Sequence, residues 1–188
     1  MRSPEFIVFV GPMFSSKTTL LISIIEKFKY QKKNIVVFKP KVDTRYHESD
    51  VVSHMGWSKP AVVVKTGAEI LEHLMSLDQL PDVVAVDEAF MIDGCAETLI
   101  WLFRKGISVV ISTLDISANG KPFDEVKDVL PWATRVQKCT AVCVVCGADA
   151  PYTHRKLVSD DEIEVGGEEL YEPRCFEHHV FVNRRESS

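Results

Sequence analysis

Residues 11–18 have the types and the spacing of a loop that binds phosphate groups. The loop follows a short apolar run, precedes a helix-like stretch, and reads Gly-Pro-Met-Phe-Ser-Ser-Lys-Thr. This matches the pattern G-x-x-x-x-G-K-S/T, except that Ser16 stands in place of the second glycine. In such loops backbone N–H groups surround the phosphates, the lysine adds a positive charge, and the following hydroxyl ligates Mg²⁺. We predict a phosphate site made of Gly11, Pro12, Met13, Phe14, Ser15, Ser16, Lys17 and Thr18.

A pair of acids, Asp87 and Glu88, ends the apolar run 83–86. Because neighbouring residues at a strand end point to opposite sides, we predict that Asp87 faces the Mg²⁺ and that Glu88 faces the nucleophile. Glu88 would then be a general base that takes a proton from water or from a substrate hydroxyl. The acid pair alone leaves both reactions open, hydrolysis of a nucleotide and phosphorylation of a small molecule.

Two pairs of soft metal ligands lie in the C-terminal third of the chain. Cys143-x-x-Cys146 and Cys175-x-x-His178 fit a zinc site of the ribbon type, and the 28 residues between them exceed the usual ribbon spacing, so we predict a hairpin and an excursion between the pairs. Four protein ligands leave no open coordination position, so this zinc would be structural. His179 is the alternative to His178 as the fourth ligand.

Strand-like and helix-like stretches alternate ahead of these cysteines, which predicts an α/β fold with a parallel sheet and right-handed crossovers. The predicted strands are 6–10, 35–38, 62–64, 83–86 and 109–111, and the predicted helices are 17–31, 68–77 and 96–105. Ligands of such sheets bind beyond the carboxyl ends of the strands, where the phosphate loop and the acid pair both fall. The change in composition after Thr134 predicts two domains, a nucleotide-binding domain of residues 1–134 and a zinc-binding domain of residues 135–188.

The composition narrows the class of protein. The chain has 188 residues, of which 46% are hydrophobic and 26% are charged, so it has the composition of a globular protein. Its net charge of −5 provides no general attraction for nucleic acid, and we expect no nucleic-acid partner. No apolar run is long enough for a signal peptide or a membrane span, so we expect a cytoplasmic protein without a membrane partner.

Taken together and in this order, the motifs resemble those of the type II thymidine kinases over roughly residues 6–182. The motifs are the loop 11–18, Asp43-Thr44-Arg45-Tyr46, Asp87-Glu88, Leu114-Asp115, Lys121-Pro122-Phe123, Tyr152-Thr153, Gly166-Gly167, Tyr171 and the two ligand pairs. The resemblance implies a RecA-like P-loop core and a small C-terminal zinc-ribbon domain that carries a substrate-covering segment, the lasso. It also implies a homotetramer that transfers the γ-phosphate of Mg·ATP to the 5′-hydroxyl of thymidine.

The same resemblance assigns roles to individual residues. Glu88 would be the general base, Lys17 and Arg45 would stabilise the transferred phosphoryl group, and Asp43 would lie near the phosphates. Thr18 and Asp87 would hold Mg²⁺, while the lasso would meet the base of the nucleoside through main-chain hydrogen bonds. The implied nucleoside contacts are Met13, Met91, Leu114, Phe123, Thr153, Ile163, Glu164, Val165, Gly166 and Tyr171.

Four positions depart from the family pattern. Ser16 replaces a glycine in the phosphate loop, and a positive φ at this position would cost about 1–2 kcal/mol. Phe90 replaces a polar residue, Met91 replaces an aromatic one, and Ala118 stands where the family often has a phenylalanine. These changes leave one alternative open, a zinc-ribbon P-loop NTPase or nucleotide-binding regulator whose pocket does not accept thymidine.

Overall fold

The computed structural model describes residues 3–41, 50–52, 58–156 and 166–180. The described strands are β1 (Phe6–Val10), β2 (Ile35–Pro40), β3 (Asp50–Val52), β4 (Ser58–Pro60), β5 (Val62–Val64), β6 (Val83–Val86), β7 (Ser108–Thr113), β8 (Arg135–Lys138), β9 (Ala141–Val142), β10 (Asp149–Ala150), β11 (Tyr152–Arg155) and β12 (Tyr171–Arg174). The described α-helices are α1 (Lys17–Tyr30), α2 (Gly67–Met75), α3 (Cys95–Arg104) and α4 (Asp124–Val129). None of these helices is long and apolar enough to cross a membrane.

Six strands form one central sheet in the order β5-β2-β6-β7-β1-β8, and each neighbouring pair is parallel. β1 and β6 are continuous apolar runs that are buried along their whole length, as parallel strands covered on both faces must be. The predicted α/β class with a parallel sheet is therefore confirmed. Because the strands are parallel, the residues that follow β1, β6 and β7 meet at one edge of the sheet.

Helices cover both faces of this sheet. On one face, α1 places Leu21, Ile22, Ile25 and Phe28 against Ile7 and the other side chains that β1, β2, β6 and β7 direct to that side. On the other face, α2, α3 and α4 pack against the alternate side chains of the same strands. All three predicted helices are confirmed to within two residues at their ends.

The sheet extends beyond the predicted boundary at residue 134. β8 lies on the C-terminal side of that boundary but pairs with β1, with Ile7 opposite Arg135 and Val10 opposite Lys138. It is an edge strand with three exposed residues of four, so its sequence lacks the apolar run that identified the inner strands. The division into two domains stays a prediction, but the four residues of β8 belong to the sheet of the first one.

After β8 the chain forms two small antiparallel pairs, β9 with β10 and β11 with β12. We call this region, residues 139–156 and 166–180, the zinc module because it contains all four predicted zinc ligands. Its residue Cys139 donates its N–H to the carbonyl of Val10 at 2.7 Å. The zinc module is thereby fixed to the end of β1, at the point where the phosphate loop begins.

Candidate active site

The phosphate loop leaves β1 through Gly11, whose φ is +148°. A Cβ at this position would lie 2.4 Å from the carbonyl oxygen of Cys139. Real Cβ atoms do not approach a backbone oxygen so closely, so only glycine allows the loop to turn against the start of the zinc module. Sterics therefore require glycine at position 11 independently of phosphate binding.

Two further residues of the loop have left-handed backbone conformations. The φ angles are +64° at Phe14 and +61° at Ser16. Ser16 therefore takes up the conformation that glycine provides in the usual pattern, at a cost of about 1–2 kcal/mol. Turns that alternate in hand in this way bring successive N–H groups to one side and make a concave anion site. The Ser15 hydroxyl supports the turn from within because it donates to the carbonyl of Pro12 at 2.7 Å.

Lys17 lies inside the loop. Its Nζ donates to the carbonyl of Pro12 at 2.6 Å, and the residue is only 5% exposed. Burial lowers the pKa of Lys17, while the nearby carboxylates of Glu88 and Asp87 act in the opposite direction. A phosphate bound in the loop would add negative charge beside this ammonium group, so phosphate binding and the charged state of Lys17 favour one another.

Asp87 meets the end of the loop. The Thr18 hydroxyl lies 3.2 Å from Oδ1 and 3.4 Å from Oδ2 of Asp87, and Asp87 is buried. Ser112, near the end of β7, donates its hydroxyl to Oδ1 of the same carboxylate. The donor set is made of oxygen atoms alone, a carboxylate with hydroxyls, and it fits the preference of Mg²⁺.

Sequence reasoning missed Ser112. The signal was available, because a Ser-Thr pair ends the apolar run of β7 at the same sheet edge as the acid pair. Without the order of the strands, nothing indicated that β7 lies beside β6 and so brings this hydroxyl to Asp87.

Glu88 lies beside the phosphate loop. It has a left-handed backbone, with φ +50°, and lines a small cavity of about 30 Å³ together with residues 13–19 of the loop and the first turn of α1. Asp87, in contrast, is buried with its carboxylate against the hydroxyls of Thr18 and Ser112, and the division of roles between the two acids stays a prediction. Glu88 is half-buried beside the loop, which is where a base for an incoming hydroxyl would have to stand.

The residues expected around the nucleoside come from distant parts of the chain. Met13, Leu114, Phe123 and Tyr171 belong to one buried apolar cluster, although they lie on four separate segments. The Thr153 hydroxyl joins them because it accepts the backbone N–H of Met13 at 2.9 Å. Of the other expected contacts in the described part of the chain, Gly166 is buried and Met91 is half-buried at the end of a short 3-10 turn. Asp43, Arg45, Ile163, Glu164 and Val165 lie outside the described residues.

Two of the departures from the family pattern lie against this cluster. The ring of Phe90 packs on that of Phe123, with 4.5 Å between the ring centroids, and Ala118 contacts the same cluster. The hydroxyl of Tyr171, in the same cluster, accepts a hydrogen bond from Arg155 at 3.3 Å. The apolar substitution at position 90 therefore adds to the packing beside an expected nucleoside contact.

The four predicted zinc ligands come together in the zinc module. One ligand atom from each of Cys143, Cys146, Cys175 and His178 lies within 4.8 Å of the others. The Sγ atoms of Cys146 and Cys175 are 3.7 Å apart, and Cys143 Sγ is 3.9 Å from Nδ1 of His178. With Zn–S bonds of about 2.3 Å, ligand atoms at the corners of a tetrahedron are about 3.8 Å apart, so the residues fit zinc.

The neighbouring histidine has a different partner. His179 is buried, and its Nε2 lies 3.1 Å from the carbonyl oxygen of Thr153. The geometry therefore favours His178 over His179 as the fourth ligand. At Cys143, burial raises the thiol pKa, but hydrogen bonds from the backbone N–H groups of Cys175, Val145 and Cys146 and from the Cys175 side chain together outweigh it, and the pKa falls to about 6. A thiol that ionises this readily suits metal ligation.

A glycine-started loop at the carboxyl end of a parallel strand, with a buried lysine and a facing Asp–Thr pair, defines a P-loop protein that handles nucleotide phosphates. The sequence model of the thymidine kinase family matches residues 5–179, nearly the whole chain. The chain therefore belongs to the thymidine kinase family. It is a kinase, that is, a phosphotransferase, and thymidine kinase activity is the function that this membership supports.

Proposed function

We propose that this protein transfers the γ-phosphate of ATP to the 5′-hydroxyl of thymidine in the presence of Mg²⁺. The observation that carries the proposal is the contact between Thr18 and Asp87 beside the buried Lys17, because it joins the phosphate loop to the acid pair. Phosphoryl transfer requires little covalent chemistry from the protein, so that positioning and charge account for most of the catalysis.

The phosphate loop 11–18 would bind the phosphates of ATP. Its left-handed residues shape a concave backbone, and Lys17 would exchange the carbonyl of Pro12 for a phosphate oxygen. Arg45 and Asp43, which the family resemblance places near the phosphates, are part of the proposal on sequence grounds alone.

Thr18 and Asp87 would hold Mg²⁺, with Ser112 fixing the orientation of the carboxylate. When bound, the metal ion supplies positive charge to the phosphate oxygens on which negative charge develops. Asp87 is suited to this role because its carboxylate is buried and oriented by two hydroxyls, those of Thr18 and Ser112.

Glu88 would accept the proton of the 5′-hydroxyl as that oxygen attacks the γ-phosphorus. Its position on the cavity that the loop lines supports this role. The thymine and the sugar would be held by the cluster that contains Met13, Leu114, Phe123 and Tyr171, together with Thr153, Met91 and the segment 163–166. Zinc in the zinc module and assembly as a homotetramer complete the proposal, the second on family resemblance alone.

The test is the direct detection of the product. Purified protein is incubated with ATP, Mg²⁺ and thymidine, and thymidine monophosphate is measured by liquid chromatography with mass spectrometry. We expect product from the unmodified chain and a loss of about 10²–10⁴-fold in kcat for Glu88→Gln, the range typical of a missing general base. Equal amounts of product from both proteins would exclude Glu88 as the base, and no product from either would refute the proposed function.

A further inference from the structure

Phe14 of the phosphate loop packs against a buried cluster that contains two of the zinc ligands. We define the ligand cluster as Ala141, Cys143, Ala150 and Cys175, a buried apolar group that includes two of the four ligands. The Phe14 side chain packs against this cluster and also against the main core cluster that contains Met13 and Tyr171. Phe14 therefore connects the ligand cluster with the main core cluster.

The backbone of Phe14 has a conformation that needs such support. Its φ of +64° is unfavourable for an aromatic residue and costs about 1–2 kcal/mol. Strained backbone persists only where the surrounding packing fixes it, and here that packing includes the cluster to which Cys143 and Cys175 belong. The left-handed turn of the phosphate loop at Phe14 is therefore in contact with the ligand cluster.

A second connection reaches the preceding residue of the loop. The backbone N–H of Met13 donates to the Thr153 hydroxyl at 2.9 Å, and the carbonyl of Thr153 lies 3.1 Å from Nε2 of His179. His179 directly follows the ligand His178 and is 2% exposed, so this chain of hydrogen bonds is fixed inside the zinc module. The zinc module thus contacts two successive loop residues, Met13 through a hydrogen bond and Phe14 through packing.

We propose that the zinc module sets the phosphate-binding conformation of the loop and that Phe14 is the positioning residue through which it does so. The inference deepens the proposed function and rests on it, since it requires that the loop bind the phosphates of ATP. With all four ligands joined by the metal, the ligand cluster would keep a fixed position against the ring of Phe14. Removal of the metal would let the ligand cluster move. The Phe14 ring would then lose its packing support, and the left-handed turn at Phe14 would relax. Because such coupling is reciprocal, the binding of nucleotide must in turn strengthen the binding of zinc.

The experiment uses the full chain loaded with zinc and two readouts other than catalysis. The first is the Kd of Mg·ATP from calorimetry, and the second is the rate at which zinc passes to a coloured chelator, with and without saturating Mg·ATP. The variant is Phe14→Ala. The matched control is Phe176→Ala, which removes the same side chain from the zinc module at a position that is 54% exposed and next to Cys175. Phe14→Leu, which keeps an apolar side chain in the same space, provides a milder change.

We expect Phe14→Ala to retain one zinc per chain and to bind Mg·ATP about tenfold more weakly, a change equivalent to about 1.4 kcal/mol. Mg·ATP should slow zinc release severalfold in the unmodified protein and in Phe176→Ala but not in Phe14→Ala, and Phe14→Leu should fall between them. If Phe14→Ala fails to fold, the inference is tested by whether Phe14→Leu shows a weaker affinity for Mg·ATP and a smaller protection of zinc than the unmodified protein. Unchanged ATP affinity in the Phe14 variants, or equal protection of zinc in all proteins, would overturn the inference while leaving the proposed function intact. Absence of Mg·ATP binding by the unmodified protein would instead overturn both.

Discussion

The hydroxyl of Thr18 lies 3.2 Å from Oδ1 of Asp87, although the two residues are 69 positions apart in the chain. The contact exists because β1 and β6 are parallel strands of one sheet, so that the loop after one and the acid after the other share an edge. It places an alcohol and a carboxylate where a phosphate-bound Mg²⁺ needs oxygen ligands.

Changing Asp87 to Asn should therefore remove most of the activity without unfolding the protein. The amide has the same shape but no charge to hold Mg²⁺, and we expect kcat to fall by about 10²–10³-fold, the size typical of a lost electrostatic contact at a reacting centre. Ser112→Ala is the matched control, since it removes only a hydroxyl that orients Asp87, and it should cost about tenfold or less. A Mg²⁺ titration of the initial rate distinguishes them. Equal Mg²⁺ dependence in Asp87→Asn and the unmodified protein would contradict this assignment.

Replacement of Ser16 by glycine should stabilise the protein. Its φ of +61° is strained for serine and relaxed for glycine, so relief of about 1 kcal/mol is expected, equivalent to a Tm increase of about 2–4 °C for a chain of this size. Mg·ATP should bind at least as tightly as before. Ser15→Gly is the control, because Ser15 is not among the residues with positive φ and donates a buried hydrogen bond to Pro12, and it should lower the Tm. Calorimetric melting checks both variants, and a lower Tm for Ser16→Gly would show that the turn is not strained.

Lys17→Met should raise the stability of the folded protein and weaken the binding of phosphate. Burial lowers the pKa of Lys17, so the folded state without nucleotide disfavours its charge. The stability of the unmodified protein should accordingly rise as the pH increases from the lowered pKa towards the ordinary value of the unfolded chain. The apolar methionine removes this cost, and Pro12 keeps the hydrogen bond from Ser15.

We therefore expect a higher Tm at neutral pH for Lys17→Met, with Mg·ATP affinity reduced by at least tenfold. Thermal melting and ATP titration check the two effects, and Lys33→Met, a change at an exposed lysine, should alter neither by much. A lower Tm combined with unchanged affinity would exclude a phosphate-binding role for Lys17.

The inner part of the fold could be predicted from the sequence because its signals are local. β1 and β6 are unbroken apolar runs, and α1, α2 and α3 show helical periodicity or caps that mark their ends. β8 and α4 could not be predicted in this way, because the first is an exposed edge strand of four residues and the second a helix of only six.

The residues of the candidate site also differ in whether local sequence patterns could predict them. The phosphate loop, the acid pair and the ligand pairs are contiguous patterns whose spacing carries the chemistry. The contributions of Ser112 and Phe14 depend on which segments lie beside them, and a single sequence does not contain that information. The strain at Ser16 was predictable only as a condition on φ, which the backbone then supplied.

The choice between two adjacent histidines also required geometry, and it can be tested by metal content. His178 has its Nδ1 3.1 Å from Cys175 Sγ, whereas His179 contacts the carbonyl of Thr153. We expect His178→Ala to lose bound zinc during purification or on mild chelation. His179→Ala should retain one zinc per chain, with reduced thermal stability because a buried side chain is lost. Elemental analysis of both proteins decides the assignment, and zinc retained by the first but lost by the second would reverse it.

The most direct test of the central claim is the stoichiometry between ADP released and thymidine consumed. The protein is mixed with Mg·ATP and either thymidine or 5′-deoxythymidine, which lacks the accepting hydroxyl, and both products are quantified. A kinase with Glu88 acting on the 5′-hydroxyl should release one ADP for each thymidine monophosphate, and almost none with the deoxy analogue. Release of ADP at the same rate with thymidine, with the analogue or with neither would identify water as the acceptor and contradict the account.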